Sequence, residues 1–201
     1  LILGAVNSKD SSVRVAALKA LSGRSDQVTA RILKNAMNDE SSEIRQSAIN
    51  AARNLKGQDF TDIVKLGVAD SYEWVRYSAV EALRGNQDDF PFETLKTRTI
   101  DENTSVRLSA MQMLVEFKTA AAIDHLKELM MNSTDKDTRS YAMYALQNAG
   151  HLPTTALAAM AGDGASTEAT NSEKFQEKLG ALKTKVQEAI SAPRCEAVFS
   201  Q

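Results

Sequence analysis

The sequence has 201 residues, 43% of them hydrophobic and only 5% aromatic, with a formal net charge of −2. This length and apolar content suffice for a buried core, and the abundance of helix formers beside only three prolines predicts an all-α fold. The near-neutral charge provides no field to attract a nucleic acid or an anionic membrane, so neither partner is expected, and the composition favours a soluble, cytoplasmic protein.

Cysteine content and hydropathy exclude several further classes. Cys195 is the only cysteine, so an internal disulfide and a thiolate metal cluster are excluded and no metal site is expected. No run approaches the roughly 18 apolar residues of a membrane span, and the first residues lack the pattern of a signal peptide. Leu1 falls in what looks like the middle of a helix, so we expect the first repeat to be truncated.

One arginine-centred segment recurs along residues 1–150. Three successive intervals between its arginines are 31 residues and the fourth is 32. Self-similarity at such a period indicates a solenoid of stacked supersecondary units. The five copies are Ser11–Leu18, Ser42–Ile49, Glu73–Val80, Thr104–Met111 and Lys136–Met143, with Arg14, Arg45, Arg76, Arg107 and Arg139 at equivalent positions.

Each copy has the pattern of a buried helix. Apolar residues stand at positions −1, +3, +4, +6 and +7 from the arginine, except for Thr138 at −1 of the fifth copy, and these positions lie on one side of a 3.6-residue helix. In the first copy these are Val13, Ala17, Leu18, Ala20 and Leu21. The alanine at +3 in every copy indicates where a neighbouring helix comes closest. A helix-capping residue type stands four before the arginine in four copies, and Tyr72 is the exception.

A second, shorter apolar-periodic segment precedes each turn from the second copy onward. These segments are Val28–Met37, Ile63–Val68, Phe92–Thr99 and Ile123–Met131. Each repeat is therefore predicted to be two antiparallel helices that bury their open face on the next repeat, giving about five repeats over residues 1–150.

The spacing Asp39-x-x-x-x-Ile-Arg45-x-x-Ala48, which returns at Asp70 and at Asp101, resembles the short HEAT repeats of the phycobilisome-lyase type. The resemblance covers roughly residues 1–149 and implies a right-handed α-solenoid. It also implies a ladder of polar contacts between stacked repeats. The residues implicated are Asp39, Asp70 and Asp101 with Arg45, Arg76 and Arg107, and Ser8 and Ser133 depart from the aspartate at the two ends.

The sequence after the repeats divides into four short segments. Residues 151–161 are predicted to form a helix that caps the last repeat, and the small polar residues 162–171 a flexible linker. Residues 172–191 carry one apolar stripe, listed as Phe175, Leu179, Leu182, Val186 and Ile190, and residues 192–201 form a tail. The amphipathic helix is expected either to fold back onto the solenoid or to dock into a partner or a second copy through residues 172–190.

A candidate binding face lies opposite the core stripe of the second helices, at positions −2, +1 and +5 from each arginine. This face, usually concave in HEAT arrays, should be polar, and in the first two copies it mostly is. The later copies place aromatic and aliphatic groups there, and exposed aromatics mark binding surfaces. The candidate residues are Trp74, Tyr77, Glu81, Leu108, Gln112 and Tyr144. The alternative is that Trp74 and Tyr77 pack against a neighbouring turn or the C-terminal helix.

No catalytic constellation is visible in the sequence. His125 and His151 are the only histidines and are expected in solvated or capping roles, and Cys195 has no base nearby to activate it. The repeated arginines could bind anions, but their placement beside turn acids favours a structural role. We therefore expect no catalytic residue and no cofactor.

Three functions fit this sequence. The first is a non-enzymatic scaffold that binds a peptide, helix or protein on the face centred on Trp74. The second, implied by the resemblance, is an accessory subunit of a bilin-lyase-like cofactor-attachment enzyme. The third is a helical-repeat nucleic-acid binder, which the face disfavours because Lys19 is its only basic residue.

Overall fold

The computed structural model describes residues 2–86 and 90–151, and in these ranges every regular element is a helix. The chain divides into two compact units, Leu1–Leu126 and Lys127–Gln201. The predicted segments 152–161, 162–171, 172–191 and 192–201, together with Cys195, lie outside the described residues.

The first unit is an all-α solenoid of antiparallel helix pairs. Its second helices α2, α4, α6 and α8 pack successively side by side, and α3, α5 and α7 pack against the second helices of their own pairs. The helices are α1 (Ile2–Ala5), α2 (Ser11–Ala20), α3 (Gln27–Ala36), α4 (Ser42–Ala52), α5 (Gly57–Val68), α6 (Glu73–Ala82), α7 (Phe92–Lys96) with a 3-10 turn (Thr97–Ile100), and α8 (Thr104–Glu116). Helix α9 (Ala120–Asn132) runs across the division, and α10 (Lys136–Asn148) lies in the second unit.

Small residues let the helices of the first unit approach closely. Ala48, Ala79 and Ala110, at the predicted contact position of α4, α6 and α8, are completely buried. Gly67 of α5 faces the same layer, and a Cβ added to it would lie 2.7 Å from the Cβ of Ala79 and 2.6 Å from Cδ1 of Ile49. The packing between α5 and its neighbours therefore requires glycine at this position.

The core stripe predicted for α2 is only partly buried. Val13 and Ala20 are exposed, whereas Ile44, at the position of Val13 in the next repeat, is buried. The reason is lateral packing: α2 covers that side of α4, while the helix described before α2 is α1, with four residues. Val15, assigned from the sequence to the polar face, is buried instead.

Helices α5 and α7 differ most from their predicted bounds. Helix α5 begins at Gly57 rather than Ile63, because its polar first turns also bury Phe60 and Thr61. The predicted segment Phe92–Thr99 is split between α7 and the 3-10 turn. Pro91, which has no backbone N–H, occupies the N-cap position of α7.

The described part of the second unit repeats the local geometry of the first. The Asp135 side chain caps α10 by accepting hydrogen bonds from the backbone N–H groups of Asp137 and Thr138. Arg139 donates from Nη1 to the carbonyl oxygens of Ser133 and Thr134, at 2.7 and 3.1 Å. These contacts hold the turn against the helix that it precedes.

Candidate functional site

An aspartate organises the turn before each of α4, α6 and α8. Oδ1 of Asp39 accepts a hydrogen bond from the backbone N–H two residues later at 3.0 Å, and Asp70 and Asp101 do the same at 2.8 and 2.9 Å. Such side-chain-to-backbone bonds stabilise turns that lead into helices. They fix where each second helix begins, and so which residues it presents.

The same aspartates join consecutive repeats through paired hydrogen bonds from arginine. Each guanidinium donates from Nε and Nη2 to both oxygens of an aspartate 25 residues later, the fork geometry that arginine and carboxylate share. The pairs are Arg14–Asp39 at 3.0 and 3.1 Å, Arg45–Asp70 at 2.6 and 2.8 Å, and Arg76–Asp101 at 2.9 and 2.8 Å. In all three, Nη1 also donates to two carbonyl oxygens of the arginine's own turn. Each arginine thus ties its own turn to the next.

The observed pairs differ from the set of residues that the resemblance implied. Asp39, Asp70 and Asp101 each pair with the arginine of the preceding repeat, so Arg14, which was not singled out, is a member. Arg107 donates to the carbonyl oxygens of Asp101 and Glu102 and to Oγ1 of Thr104. Six residues before Arg139, at the position equivalent to the three aspartates, the sequence has Ser133.

The ladder shifts the pKa values of its carboxyl groups. Burial raises the pKa of Asp101, but the hydrogen bonds from Arg76 and from the Asn103 N–H, with the charges of Arg76 and Arg98, hold it below its ordinary value. Burial also raises the pKa of Asp70, but the hydrogen bond from Arg45 acts in the opposite direction, and the net pKa lies below its ordinary value. Both carboxylates are therefore ionised partners in the folded protein.

Helix α6 exposes an aromatic pair on the side away from the core. Trp74 is 46% exposed, and Tyr77, one turn later, is half-buried. Their rings meet edge to face, with centroids 5.9 Å apart and planes inclined by 79°. This geometry holds the two rings in one cluster while leaving a large part of the indole open to solvent.

Other predicted face residues have more local roles. Glu81 accepts a hydrogen bond from Oγ of Ser109 on α8, so its carboxylate links α6 to α8. Leu108 and Gln112 are half-buried on α8, which packs beside α6. Tyr144 is exposed on α10 of the second unit. We call the exposed side of α4, α6 and α8 around Trp74 the second-helix face.

Tyr72 is a further exposed aromatic residue close in the sequence to Trp74, outside the predicted face positions. It occupies the N-cap position of α6, makes no side-chain cap hydrogen bond and is exposed. Asn103 at the equivalent position of α8 caps its helix through the backbone N–H groups of Ser105 and Val106. The departure of Tyr72 from the capping pattern was the available signal, because a residue that breaks a repeated structural rule is often retained for binding.

The described residues contain no candidate metal site, and His125 has a packing role. Nε2 of His125 lies 3.0 Å from Oγ1 of Thr99, and Phe92 meets the imidazole edge to face. His125 is therefore half-buried in a packed cluster rather than solvated. Within these ranges no group of three His, Cys, Asp or Glu residues could hold a metal ion, and no helix has the length and hydropathy to cross a membrane.

Comparison with protein families supports the architecture. A sequence model of the family described as HEAT repeats matches residues 1–84 and 66–147. Among solved structures, an engineered protein is 17% identical, covering 94% of this chain and 96% of its own, with a TM-score of 0.47. A designed armadillo repeat protein is 16% identical, covering 94% and 98%, with a TM-score of 0.45. No curated protein matches the sequence.

Proposed function

Because the chain belongs to the HEAT-repeat family, we propose that it is a non-enzymatic scaffold that binds a protein or peptide on the second-helix face. A repeat solenoid presents an extended surface and is typical of such scaffolds, but the fold does not choose the partner. The choice of face rests on side chains, and the carrying observation is the exposed aromatic cluster of Trp74 and Tyr77.

Exposure of the aromatic cluster to water is unfavourable unless a partner covers the rings. Tryptophan and tyrosine offer large apolar areas at low conformational entropy, and they are enriched among the residues that dominate binding energy. Trp74 is 46% exposed, although the equivalent positions in α4 and α8 are Glu43 and Ser105. The protein therefore departs from its own repeat pattern at the point where an anchor residue would be useful.

Tyr72 supports the same face by a different argument. Replacing an N-cap Ser, Thr, Asp or Asn by a residue that cannot cap costs about 1 kcal/mol of stability. Helix α6 forgoes that cap and places a second exposed ring two residues before Trp74. A loss of stability at one position, together with a gain of exposed aromatic surface, is expected where binding determines the residue.

Trp74 can be tested directly because it is the only tryptophan. We expect Trp74→Ala to keep the helical circular dichroism of the wild type and to lose a protein that the wild type captures from native lysate. Leu66→Ala is the matched control, since Leu66 is also exposed but lies on α5. A captured protein should then shift the Trp74 emission of the wild type on titration. Equal capture by the wild type and Trp74→Ala would refute the proposal.

Tyr72→Asn separates binding from stability. Asparagine is a strong N-cap, so this variant should be more stable than the wild type by about 1 kcal/mol in urea unfolding. It should nevertheless bind the captured protein more weakly, because an exposed ring is lost from the face. A more stable variant with unchanged affinity would remove Tyr72 from the face.

The phycobilisome-lyase-like subtype is a finer part of this proposal. The 31-residue interval and the arginine–aspartate ladder support it as a type of repeat. A change in visible absorbance on mixing with a tetrapyrrole would favour an accessory role in cofactor attachment. An unchanged spectrum would favour the scaffold.

A further inference from the structure

The charge of the chain is distributed unevenly along the sequence. The stretches 39–50, 70–81 and 101–112, which contain the turns and the first turns of α4, α6 and α8, hold eight acidic and three basic residues. Their net charge is −5, whereas the whole chain carries −2, so the remaining residues together carry +3. These three stretches are therefore acidic for a protein of nearly neutral charge.

Two of the three basic residues of these stretches are already paired with acids below the surface. The guanidinium groups of Arg45 and Arg76 are mostly buried and each is paired with a ladder aspartate. Three of the five glutamates, in contrast, face solvent. Glu40 and Glu43 are exposed, and the side chain of Glu102 is 85% exposed even though Oε1 lies 3.1 Å from Nη2 of Arg76. The field that reaches a partner is therefore that of the glutamates.

The glutamates and the aromatic cluster occupy the same level of the helix row. Glu43 in α4 stands two residues before its ladder arginine, as Trp74 does in α6, and α4 packs directly beside α6. Glu73 precedes Trp74 in the chain and is half-buried. An exposed indole flanked by carboxylates has the two components that attract a side-chain cation, a ring quadrupole and opposite charge.

We propose that the partner bound by the second-helix face is a cationic segment of polypeptide, with lysine or arginine side chains lying against Trp74 and Tyr77 and near Glu43, Glu73 and Glu102. This inference rests on the proposed function and specifies the chemistry of its partner. The long aliphatic stems of lysine and arginine pack on aromatic surface while their charged ends reach the carboxylates. An acidic or uncharged segment would gain only the first of these contacts.

The test uses the full chain and three synthetic peptides without aromatic residues. One alternates lysine with serine, and in the other two every lysine is replaced by glutamine or by glutamate. Binding is followed through the emission of Trp74. We expect the lysine peptide to bind at least about ten-fold more tightly than the glutamine peptide at low ionic strength, to weaken as salt is added, and the glutamate peptide not to bind.

Charge variants locate the binding. Measured with a fluorescently labelled lysine peptide, Glu43→Gln combined with Glu73→Gln should weaken binding about five-fold or more, and Trp74→Ala about ten-fold. Asp59→Asn is the matched control, because Asp59 is the first-turn acid of α5 as Glu73 is of α6. Like the loss of Glu73, this substitution removes a negative charge that interacts with a helix dipole, but the charge lies outside the second-helix face. It should therefore change affinity less than about two-fold.

Two results would overturn the inference while leaving the proposed function intact. One is equal affinity of the lysine and glutamine peptides. The other is binding of the lysine peptide that is unaffected by Trp74→Ala and by the glutamate variants, provided that a lysate protein is still captured in a Trp74-dependent manner. Capture that does not depend on Trp74 would refute the proposed function instead.

Discussion

At the scale of single residues, the ladder aspartates combine a local and a long-range role. Asp101 accepts hydrogen bonds from the backbone N–H of Asn103, from Arg76 and from Arg98. The side chains of Arg14, Arg45 and Arg76 are 18%, 13% and 5% exposed, so the pairs are progressively more buried along the chain. Because burial strengthens both the attraction and the cost of an unpaired charge, the three pairs should not contribute equally.

Removing an arginine should be most harmful where its partner is most buried. We expect Arg76→Ala to lower the free energy of unfolding by about 3 kcal/mol, since the buried carboxylate of Asp101 loses a bidentate partner and keeps only Arg98 as a cation at hydrogen-bond distance. Arg14→Ala should cost about 1 kcal/mol, because that pair is better solvated. Urea unfolding followed by circular dichroism at pH 7 measures both, and equal losses would contradict the graded ladder.

The ladder should also make stability depend on acid pH. The pKa values of Asp70 and Asp101 in the folded protein lie below the ordinary value of 3.8 that applies in the unfolded chain. Their contribution is therefore fully present above that value and is lost as the pH falls from it through the lower folded-state pKa values. The urea concentration at the unfolding midpoint of the wild type should therefore decrease once the pH is lowered below about 4.

The matched variant for the pH experiment carries Asp70→Asn and Asp101→Asn. It should be less stable at neutral pH and show a smaller fall in midpoint on acidification, because two of the titrating groups are gone. Some fall should remain, since other carboxyl groups, such as Asp26 with a pKa of about 2, also titrate in this range. A fall as large as that of the wild type would exclude the ladder as a source of the acid sensitivity.

At the scale of helices, close approach depends on residues that lack bulk. Gly67 lies where α5 contacts both α4 and α6, and the neighbouring atoms leave no room for a methyl group. One of them, Cδ1 of Ile49, is the end of a side chain that can rotate, but the Cβ of Ala79 moves only with its backbone. The helix pair must therefore separate if the residue at position 67 gains a side chain.

Gly67→Ala should consequently destabilise the protein although alanine favours helices. The gain in helix propensity is about 1 kcal/mol, and overpacking costs typically 1–3 kcal/mol, so we expect a modest net loss of about 1 kcal/mol. Gly4→Ala is the control, because a Cβ at Gly4 in α1 would meet no atom within 4 Å. Thermal unfolding compares them, and a Gly67→Ala variant more stable than the wild type would show that the helices adjust freely.

At the scale of the whole molecule, each repeat depends mainly on its immediate neighbours. In such arrays the stability of a unit is approximately its own plus that of its interfaces. In the first unit, α4 and α6 have a second helix on both sides, whereas α2 leaves Val13 and Ala20 exposed. Local opening should therefore be easiest at α2.

Hydrogen exchange monitored by mass spectrometry can test this gradient. Backbone amides in α2 should exchange faster than those in α4 and α6, by about ten-fold if one helix interface is worth about 1.4 kcal/mol of local stability. The comparison is internal, because the three helices have nearly the same length. Protection of α2 equal to that of α6 would indicate that the unit opens as one cooperative body.

The sequence by itself determined the family, the helix pairs, the repeat interval and the outward position of Trp74 and Tyr77. These features follow from periodicity along one helix and from equivalence between copies, so the spacing of residues in the sequence is enough to reveal them. The alanines at +3 were informative for the same reason, since a small residue repeated at one position marks the helix contacts of α4, α6 and α8.

Only the tertiary structure decided features that depend on what lies beside a helix. It paired each aspartate with the arginine of the preceding repeat, because a fork of two hydrogen bonds forms wherever stacking brings the groups together, at a separation of 25 residues. It exposed Val13, which has the same pattern as the buried Ile44, and it joined Glu81 to Ser109. Periodicity gives the direction of a side chain from its own helix, but the neighbouring helices determine whether that side chain is covered.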